Sequence, residues 1–450
     1  MVQQLTKNKV IVIVGAGPAG LLLAHYLLRR PGYDIVVVEG RPDPRGLAMD
    51  EEGEVAAERR TFPITICSRG KSALSGIPGL MGTMERRGVF LTGICLHNGN
   101  DATKKKVFNK EMPSFSMDRN NIALTLLTEL NKVEKAPGTT ITFHFESFLQ
   151  EVNTVSQHIV VASAATSVSG SPASCISFDH LVAADGSRSK IRQHLVQMGR
   201  LHCDLKILPD EYRTIFLTRN SQDNSIKLDS DKIHAWMFEG NIKILTVPLH
   251  KGCVSGVIIF SRGQDPFQGM KTSNEVQEYL ETLSPNFVSK LITEQEAHAL
   301  LNRPTSSNPS VRCSSLHVGQ ILLVGDAAHA VSASIGQGCN SALQDVQVFC
   351  GLLDRHQDDW DQALPVYTAE RHKDILAVSE MSDYSSPRTK WMKIEWVIRM
   401  VLKKILPSFL ARILLRPLPM DLLSNTNLSY TSVLEKTRWW IDRVKRSHQS

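Results

Sequence analysis

The sequence lacks any pair of cysteines at the spacing that zinc sites use. The eight cysteines stand at positions 67, 95, 175, 203, 253, 313, 339 and 350, and none of them forms a CxxC motif. The pattern therefore predicts no metal site. Cysteines without a disulfide framework are typical of a reduced compartment, so we expect a cytoplasmic protein.

Long apolar runs are also absent. No run approaches the roughly 20 residues that a membrane-spanning helix needs. The first apolar run begins at Val10 and is used by a strand and a glycine turn, so we expect no cleavable signal peptide. With 450 residues, 42% of them hydrophobic and 21% charged, the composition indicates a globular protein of two interleaved domains with a C-terminal appendage.

Positive charge is concentrated near the C-terminus of a chain with a formal net charge of +6. Residues 390–416 alternate apolar pairs with Lys and Arg at helical spacing. Such a segment can cap the substrate domain with its charges in solvent, or it can lie on an anionic membrane surface. We favour the cap, and peripheral membrane contact stays open beside it. No nucleic-acid recognition motif accompanies the basic residues, so no nucleic-acid partner is expected.

A glycine-rich turn follows the first apolar run, in Lys9-Val-Ile-Val-Ile-Val-Gly15-Ala-Gly17-Pro-Ala19-Gly20. Residues 9–14 are typical of a parallel strand buried on both faces. The glycines allow a tight turn and a close backbone approach to a pyrophosphate, and the helix from residue 18 to 30 points its positive end at the phosphates. A second strand, 34–39, ends in Glu39, whose carboxylate suits a pair of ribose hydroxyls. The segment predicts a dinucleotide site.

Two later segments also place polar residues at strand ends. The first is Leu181-Val-Ala-Ala-Asp185-Gly186, which precedes a basic helix start at 187–192. The second is Ile321-Leu-Leu-Val-Gly325-Asp326-Ala-Ala-His329. Gly336-Gln-Gly338-Cys-Asn340 then opens a helix with free backbone N–H groups at its start. We expect His329 to be a packed, hydrogen-bonding residue rather than a base.

A separate module lies between these two segments. Short runs rich in β-branched and aromatic residues, at 211–218, 233–239, 242–247 and 253–260, are separated by polar turns. They predict an antiparallel sheet, followed by helices at 273–283 and 287–294. A sheet inserted into a nucleotide-binding fold can wall off a substrate cavity.

The three segments, in this order, resemble the fingerprints of the FAD-dependent aromatic hydroxylases. Residues 8–445 look like the kynurenine 3-monooxygenase family in particular, through Arg60-Thr-Phe-Pro-Ile-Thr-Ile-Cys-Ser-Arg69-Gly70 and Asn427-Leu-Ser-Tyr430. The resemblance implies an α/β fold in which a Rossmann-like FAD-binding domain is interleaved with an antiparallel-sheet substrate domain and followed by a helical region. The implied divisions are 1–200 (with substrate-domain segments near 60–115), 201–310, 311–365 and 366–450.

The same resemblance implies cofactors and contacts. FAD is bound, NADPH or NADH reduces it, and O2 forms a flavin C4a-hydroperoxide that hydroxylates or epoxidises an aromatic or apolar small molecule. Matching residue by residue gives a cofactor-binding set. It comprises Gly15, Gly17, Ala19, Gly20, Glu39, Arg41, Arg119, Asp185, Gly186, Gly325, Asp326, Gly336, Gly338 and Asn340. No catalytic side chain is assigned, because the cofactor carries the chemistry.

The substrate end departs from the family pattern. The arginine expected to hold the substrate carboxylate falls at Ile94, its tyrosine partner falls near Val107 or Phe108, and the acid after Asn340 is Gln344. Tyr384 keeps a counterpart. Losing a bidentate anchor weakens carboxylate recognition, so we expect a more apolar substrate.

Other functions remain open on the sequence alone. Arg86 and Arg87 could replace the missing anchor, although we expect them to be solvated. A flavin reductase, a halogenase-like enzyme or a non-catalytic flavin-binding protein would share the flavin frame. A nicotinamide-only dehydrogenase would not explain Asp185-Gly186 or Gly325-Asp326.

Overall fold

A computed structural model describes residues 8–46, 62–98, 101–163, 173–284, 288–307, 309–384, 389–406, 410 and 414–449. The side chains of 98, 101–113, 251 and several residues of the C-terminal helices lie outside this description. The helices are α1 (Pro18–Leu27), α2 (Ser68–Ser75), α3 (Leu80–Arg87), α4 (Arg119–Leu130), α5 (Lys190–Gln197), α6 (Ser273–Leu283), α7 (Glu294–Asn302), α8 (Asp326–His329), α9 (Gly338–Arg355), α10 (Trp360–Asp383), α11 (Lys390–Ile405), α12 (Pro419–Asn425) and α13 (Tyr430–Gln449).

The strands form two large and two small sheets. They are β1 (Lys9–Val14), β2 (Tyr33–Val38), β3 (Pro63–Ile66), β4 (Val89–Asn98), β5 (Asp101–Asp118), β6 (Thr140–His144), β7 (Ser147–Asn153), β8 (His158–Ser163), β9 (Ser174–Ser177), β10 (His180–Ala183), β11 (Cys203–Lys206), β12 (Asp210–Thr218), β13 (Lys232–Met237), β14 (Lys243–Pro248), β15 (Cys253–Ser261), β16 (Ser310–Cys313), β17 (His317–Val318) and β18 (Ile321–Leu323).

The first large sheet has the order β17-β18-β10-β1-β2-β6, and all its pairs are parallel except β17–β18. Its central strands read as apolar runs because helices cover both faces. Ile11, Ile13 and Val37 are fully buried. The carboxyl ends of β1, β10 and β18 meet at one edge, which is where an open parallel sheet binds its ligand.

The second large sheet has the order β12-β15-β14-β13-β4-β5-β3. Its β12–β15 part is the antiparallel module expected from the sequence. Trp236, Ile244 and Ile258 form its core with α6 and α7. The helix predicted at 287–294 is wrong, because α7 begins at Glu294, where the Thr293 side chain accepts a hydrogen bond from the Glu296 N–H.

The C-terminal helices pack into a core of their own. Val378 and Met381 of α10 contact Val433 and Trp440 of α13 in one buried cluster. The combination of a Rossmann-like sheet, a mixed substrate-side sheet and a helical C-terminal region confirms the predicted fold class.

Candidate functional site

The turn after β1 has room for glycine only. Gly15 has φ +111°, and a Cβ there would lie 2.3 Å from the Ala184 carbonyl oxygen. A Cβ on Gly20 would lie 2.0 Å from the Gly15 carbonyl oxygen, so α1 packs directly on the turn. Gly17 is the N-cap residue of α1. The turn therefore brings bare backbone and the first-turn N–H groups of α1, including that of Ala19, to the sheet edge.

Glu39 stands at the end of β2, beside this turn. Its Oε2 accepts a 2.8 Å hydrogen bond from the Ala16 N–H, and its Oε1 accepts from the backbone and side chain of Arg41 at 2.9 and 3.0 Å. Burial opposes ionisation of Glu39, but the Arg41 contacts and the Ala16 bond outweigh it and lower the pKa of the carboxyl. An ionised Glu39 is thus fixed at the strand end.

A cavity of about 320 Å³ opens at this edge. It is lined by Gly15, Gly17, Glu39, Arg41, Arg119, Asp185 and Gly186, so the structure brings together seven of the residues predicted to bind the cofactor. Arg119 is the first residue of α4, and its Nη2 would lie 3.5 Å from a Cβ on Gly17. The pKa of Arg119 is lowered by burial and by the nearby Arg41 charge. Two guanidinium groups in one cavity favour an anionic occupant such as a pyrophosphate.

Asp185 lies at the end of β10 and carries an unfilled acceptor. Its Oδ2 accepts a 2.8 Å bond from the Lys190 N–H at the start of α5, whereas its Oδ1 is buried with no hydrogen-bond partner among the described residues. Burial raises the pKa of this carboxyl. Gly186 has φ +80°, a conformation that favours glycine, and it lines the cavity. A bound group that donates a hydrogen bond to Oδ1 would fit this position.

Asp326 follows β18 and lies near the cavity. Gly325, with φ +58°, turns the chain so that the Asp326 side chain is exposed in a cleft enclosed by protein. Burial in that cleft raises the pKa of the carboxyl, while the charges of His329 and Arg119 oppose the rise. A Cβ on Gly325 would lie 3.7 Å from the Cβ of Ala19, so the third strand end lies beside the glycine turn.

A buried ion cluster supports the Gly325 turn, and sequence reasoning missed it. Asp345 of α9 is fully buried and accepts from the Gly325 N–H at 2.9 Å and from Nε of Arg371 at 2.8 Å. Nε2 of His329 lies 2.5 Å from the same carboxylate. His329 is thus a buried hydrogen-bonding residue, as expected. The sequence signal for this cluster is the position of Asp345, next to Val346 on an apolar helix face, because a buried charge needs a partner.

The start of α9 completes the cleft. A Cβ on Gly325 would lie 2.9 Å from the Cβ of Ala342, so the first turns of α9 pack beside the Gly325 turn. Gly336 has φ +62°, and a Cβ on it or on Gly338 would clash with nothing. Asn340 is fully buried and holds β3 and α2: its Nδ2 donates to Thr65 O and its Oδ1 accepts from the Cys67 N–H. Its predicted cofactor contact stays a prediction.

The residues predicted at the substrate end do not form one group in the structure. Ile94 of β4 pairs with Phe108 of β5 and with Ile233 of β13. The Phe108 side chain lies outside the described residues. Gln344 lies on α9 with its buried Oε1 unpaired among the described residues. The Tyr384 ring packs near Lys206 and Lys445 at the end of α10. Their substrate roles stay predictions.

Among the described residues, the hydrogen bonds of Arg86 and Arg87 lead to helices α3 and α4 and not to the strands around Ile94. Arg86 is exposed and donates to Thr83 one turn before it, and Arg87 donates to Thr125 of α4. Arg86 is thus solvated as expected, whereas Arg87 is half-buried, and their part in substrate binding stays a prediction.

One further group could hold a metal ion among the described residues. It consists of Cys95, Asp229 and His234, and the Cys95 thiol donates to Oδ2 of Asp229 at 3.3 Å. His234 pairs with Cys95 across β13 and β4 and hydrogen-bonds His97 at 2.8 Å. It lies on the same sheet face as Trp236, which packs toward α6 and α7. These hydrogen bonds explain why the three side chains lie together, since they attach the segment of residues 219–231 to β4 and β13.

Comparison with known proteins agrees with this geometry. A model of the FAD binding domain family matches residues 121–382, and one of the NAD(P)-binding Rossmann-like domain matches residues 13–64. A kynurenine 3-monooxygenase of Legionella pneumophila is 25% identical over 378 residues, which covers 83% of this chain and 79% of the relative. The kynurenine 3-monooxygenase of Sus scrofa is 25% identical over 406 residues, with 88% and 81% covered.

Solved structures show the same fold. The tetrameric form of 2-methyl-3-hydroxypyridine-5-carboxylic acid oxygenase has a TM-score of 0.65 at 18% identity, with 84% of this chain and 91% of the other covered. HpxO of Klebsiella pneumoniae, complexed with FAD and uric acid, has a TM-score of 0.63 at 17% identity, with 87% and 92% covered.

The glycine turn, Glu39, the two guanidinium groups and the acceptor of Asp185 fit FAD. The match to the FAD binding domain family confirms the predicted cofactor. Because the FAD binding domain model covers more than half of its residues, the chain belongs to this family of FAD-dependent monooxygenases, the aromatic hydroxylases among them.

Proposed function

We propose that the chain uses NADPH or NADH and O2 to hydroxylate or epoxidise an aromatic or apolar small molecule. FAD, when bound and reduced by the nicotinamide, would activate O2, which provides the oxygen atom that is transferred. The protein then has to bind and orient the substrate and exclude water. The convergence of Glu39, Arg41, Arg119 and Asp326 at one sheet edge supports this reaction class.

Each cofactor-binding residue has a proposed task. Glu39 accepts hydrogen bonds from ribose hydroxyls, and Arg41 and Arg119 neutralise the pyrophosphate that the Gly15–Gly20 turn admits. Asp185 accepts a hydrogen bond through its buried Oδ1. Asp326, exposed in the cleft, accepts from hydroxyl groups of the ribityl chain. The first-turn N–H groups of α9, around Gly338, would stabilise negative charge on a reduced flavin ring.

An apolar row on the second sheet supports an apolar substrate. Leu96, Ala235, Leu245 and Val257 pair directly across β4, β13, β14 and β15, so their side chains share one face. Ile94 lies on the same face, two residues from Leu96. This is the face opposite to Trp236 and its neighbours, which α6 and α7 cover. Leu245 keeps 38% of its surface exposed. The row is apolar, and Lys243 of β14 lies on the same face two residues from Leu245.

The experiment is a turnover screen on the FAD-reconstituted protein, with aromatic acids including kynurenine set against apolar aromatics and isoprenoids. We expect substrate-stimulated NAD(P)H oxidation with labelled oxygen from O2 in an apolar product. Efficient kynurenine hydroxylation would show that the inference from Ile94 is wrong. NAD(P)H oxidation without incorporation would favour a reductase, a halogenated product a halogenase, and FAD binding without turnover a binding protein. Failure to bind FAD would reject the whole proposal.

We further propose that α11 touches an anionic lipid surface. Trp391, Ile394, Ile398, Leu402 and Ile405 follow helical spacing and are all exposed, Trp391 by 81%. One flank of this stripe is held by the protein, since Met392 is buried and Glu395 accepts a bidentate pair from Arg443 of α13. No helix of the described residues is long and apolar enough to cross a membrane. A fixed helix with an outward apolar stripe, in a basic segment, suits peripheral contact.

A further inference from the structure

Two cysteines face each other across the small sheet β11–β16. Cys203 opens β11 and Cys313 ends β16, and they are direct partners in the antiparallel register. Their Sγ atoms lie 3.7 Å apart. The neighbouring pair is joined by a backbone bond, in which the Ser314 N–H donates to His202 O at 2.9 Å. The 203–313 pair therefore occupies the non-hydrogen-bonded site, where facing side chains of antiparallel strands come closest.

The two cysteines lie on the two connections between the parallel sheet and the second sheet. β11 carries the chain from α5, which packs on the parallel sheet, into β12 of the second sheet. β16 carries it back from α7 to β17, β18 and Asp326. The two strands are thus the outgoing and returning connections of the module between residues 210 and 302. A covalent bond between them would close that module into a loop at its base.

We propose that Cys203 and Cys313 form a redox-responsive dithiol, which a peroxide oxidises to a disulfide that cross-links these two connections. Cys203 is partly exposed and Cys313 is buried, so only Cys203 meets a dissolved oxidant directly. This inference concerns a modification site and does not depend on which substrate the enzyme takes.

The surroundings favour Cys203 as the thiol that reacts first. The Cys313 thiol donates a hydrogen bond to Cys203 and lowers the pKa of Cys203 to about 7, against the opposing effect of partial burial, and the Arg192 charge also favours the thiolate. The same interaction raises the pKa of Cys313. A thiolate near neutral pH with a neutral thiol beside it is the arrangement that attacking and resolving cysteines share.

The chemistry balances with hydrogen peroxide as the oxidant. The Cys203 thiolate attacks one peroxide oxygen, an S–O bond forms, the O–O bond breaks, and the leaving hydroxide takes a proton to become water. The Cys313 sulfur then attacks the Cys203 sulfenic acid, an S–S bond forms, the S–O bond breaks, and the thiol proton leaves with the hydroxide as a second water. Two thiols lose one electron each, and the peroxide gains both.

The test uses the full-length holoenzyme, reduced, desalted and treated with hydrogen peroxide before remaining thiols are blocked with N-ethylmaleimide. Mass spectrometry of a non-reducing digest should show a peptide pair joined through Cys203 and Cys313. The number of thiols that are blocked under denaturing conditions should fall by two and recover after dithiothreitol. The thermal unfolding midpoint should rise by a few degrees on oxidation, because the cross-link closes a loop of roughly 100 residues in the unfolded chain.

Matched variants separate this pair from general oxidation. Cys175→Ser removes an exposed thiol and should leave both the linked peptide and the rise of the midpoint unchanged. Cys203→Ser changes a partly exposed position and should abolish both while leaving the reduced protein equally stable. Absence of the linked peptide in the unmodified sequence, or the same midpoint rise in Cys203→Ser, would overturn the proposal.

Discussion

The Tyr430 hydroxyl donates a 3.0 Å hydrogen bond to Oε1 of Gln337, and both side chains are buried. Tyr430 begins α13, and Gln337 is the N-cap residue of α9. The guanidinium of Arg69 lies 4.4 Å from the Tyr430 ring centroid, and that of Arg371 lies 5.5 Å from it. The C-terminal helix therefore supports the loop that carries Gly336 and Gly338, although these segments are far apart in sequence.

Replacing Tyr430 by Phe tests this support. Tyr430→Phe keeps the ring and its two guanidinium neighbours but leaves the Gln337 amide without its hydroxyl partner. We expect a loss of about 1–2 kcal/mol in the free energy of unfolding. FAD affinity should fall by up to about tenfold. Thermal unfolding and titration of the apoprotein with FAD measure the two effects.

Tyr367→Phe provides the matched control. Tyr367 is also fully buried, but its hydroxyl has no hydrogen-bond partner among the described residues. Removing that oxygen should leave stability and FAD affinity unchanged or slightly improved. Equal behaviour of the two variants would mean that the Tyr430–Gln337 bond does not support the loop.

Gly15 is expected to tolerate no side chain. In Gly15→Ala the new Cβ would lie 2.3 Å from the Ala184 carbonyl oxygen, with φ at +111°. The Ala184 oxygen is a backbone atom and cannot move aside like a flexible side chain, so the turn must open. We therefore expect a protein without bound FAD or one that fails to fold. The flavin absorbance per chain after purification is the measurement.

Gly199→Ala is the control that separates the steric clash at Gly15 from the strain of a positive φ. Gly199 also has a positive φ, +68°, but a Cβ there would meet nothing within 4 Å. It should cost about 1 kcal/mol of backbone strain and leave the flavin content intact. A Gly15→Ala protein with full flavin content would contradict the close approach of β1 and β10.

The Asp345 carboxylate predicts a pH dependence of stability. Burial opposes its ionisation, but the charges of His329 and Arg371 outweigh burial and lower its pKa below the ordinary 3.8. A lowered pKa in the folded protein stabilises the fold above the ordinary value, and this stabilisation is lost as the pH falls through the folded pKa. Stability should therefore drop below about pH 4.

Asp345→Asn should cost about 3 kcal/mol at neutral pH, because the buried Arg371 would lose its fully buried carboxylate partner and keep only Asp374, at 3.2 Å. The variant should also show a flatter loss of stability in acid than the unmodified protein. Urea unfolding over a pH series measures both. Asp204→Asn, on an exposed carboxylate, serves as the control and should change neither; an acid profile of Asp345→Asn parallel to that of the unmodified chain would refute the assignment.

The features that could be predicted from the sequence are those that depend on neighbouring residues in the chain. The turn at Gly15, the acid at Glu39 and the strand ends at Asp185 and Asp326 are local signals, because strand, turn and helix follow one another within a few residues. Their convergence could be expected because carboxyl ends of parallel strands meet at one edge. The division of the chain at 200, 310 and 365 stays a prediction.

Long-range partners could not be predicted in the same way. Asp345 contacts Arg371 and Gly325 only once α9 and α10 have packed, and no residue spacing in the sequence predicts these contacts. The wrong helix at 287–294 has a local cause, since apolar spacing overruled the capping signal of Thr293. Ile94 could be named as a departure, but its apolar neighbours Ala235 and Leu245 come from strand register, which one sequence does not reveal.

The stripe on α11 gives the last prediction. Ile394→Asp with Ile398→Asp places two charges on exposed positions, 49% and 51% accessible, so the fold should persist. If α11 lies on a lipid surface, the unmodified protein should sediment with vesicles of phosphatidylcholine and phosphatidylserine, and the variant should remain in the supernatant. Vesicles of phosphatidylcholine alone should bind less protein, because the basic segment then lacks its counter-charge.

Val155→Asp with Ile207→Asp is the matched control, since these apolar residues are 90% and 67% exposed but lie outside the stripe. It adds the same charge and should bind vesicles like the unmodified protein. If the stripe variant and this control sediment equally, α11 is a cap with a solvated apolar edge. Equal binding of the unmodified protein to charged and neutral vesicles would instead remove the electrostatic part of the proposal, because basic side chains within about 10 Å of anionic headgroups are attracted to them and should favour the charged vesicles.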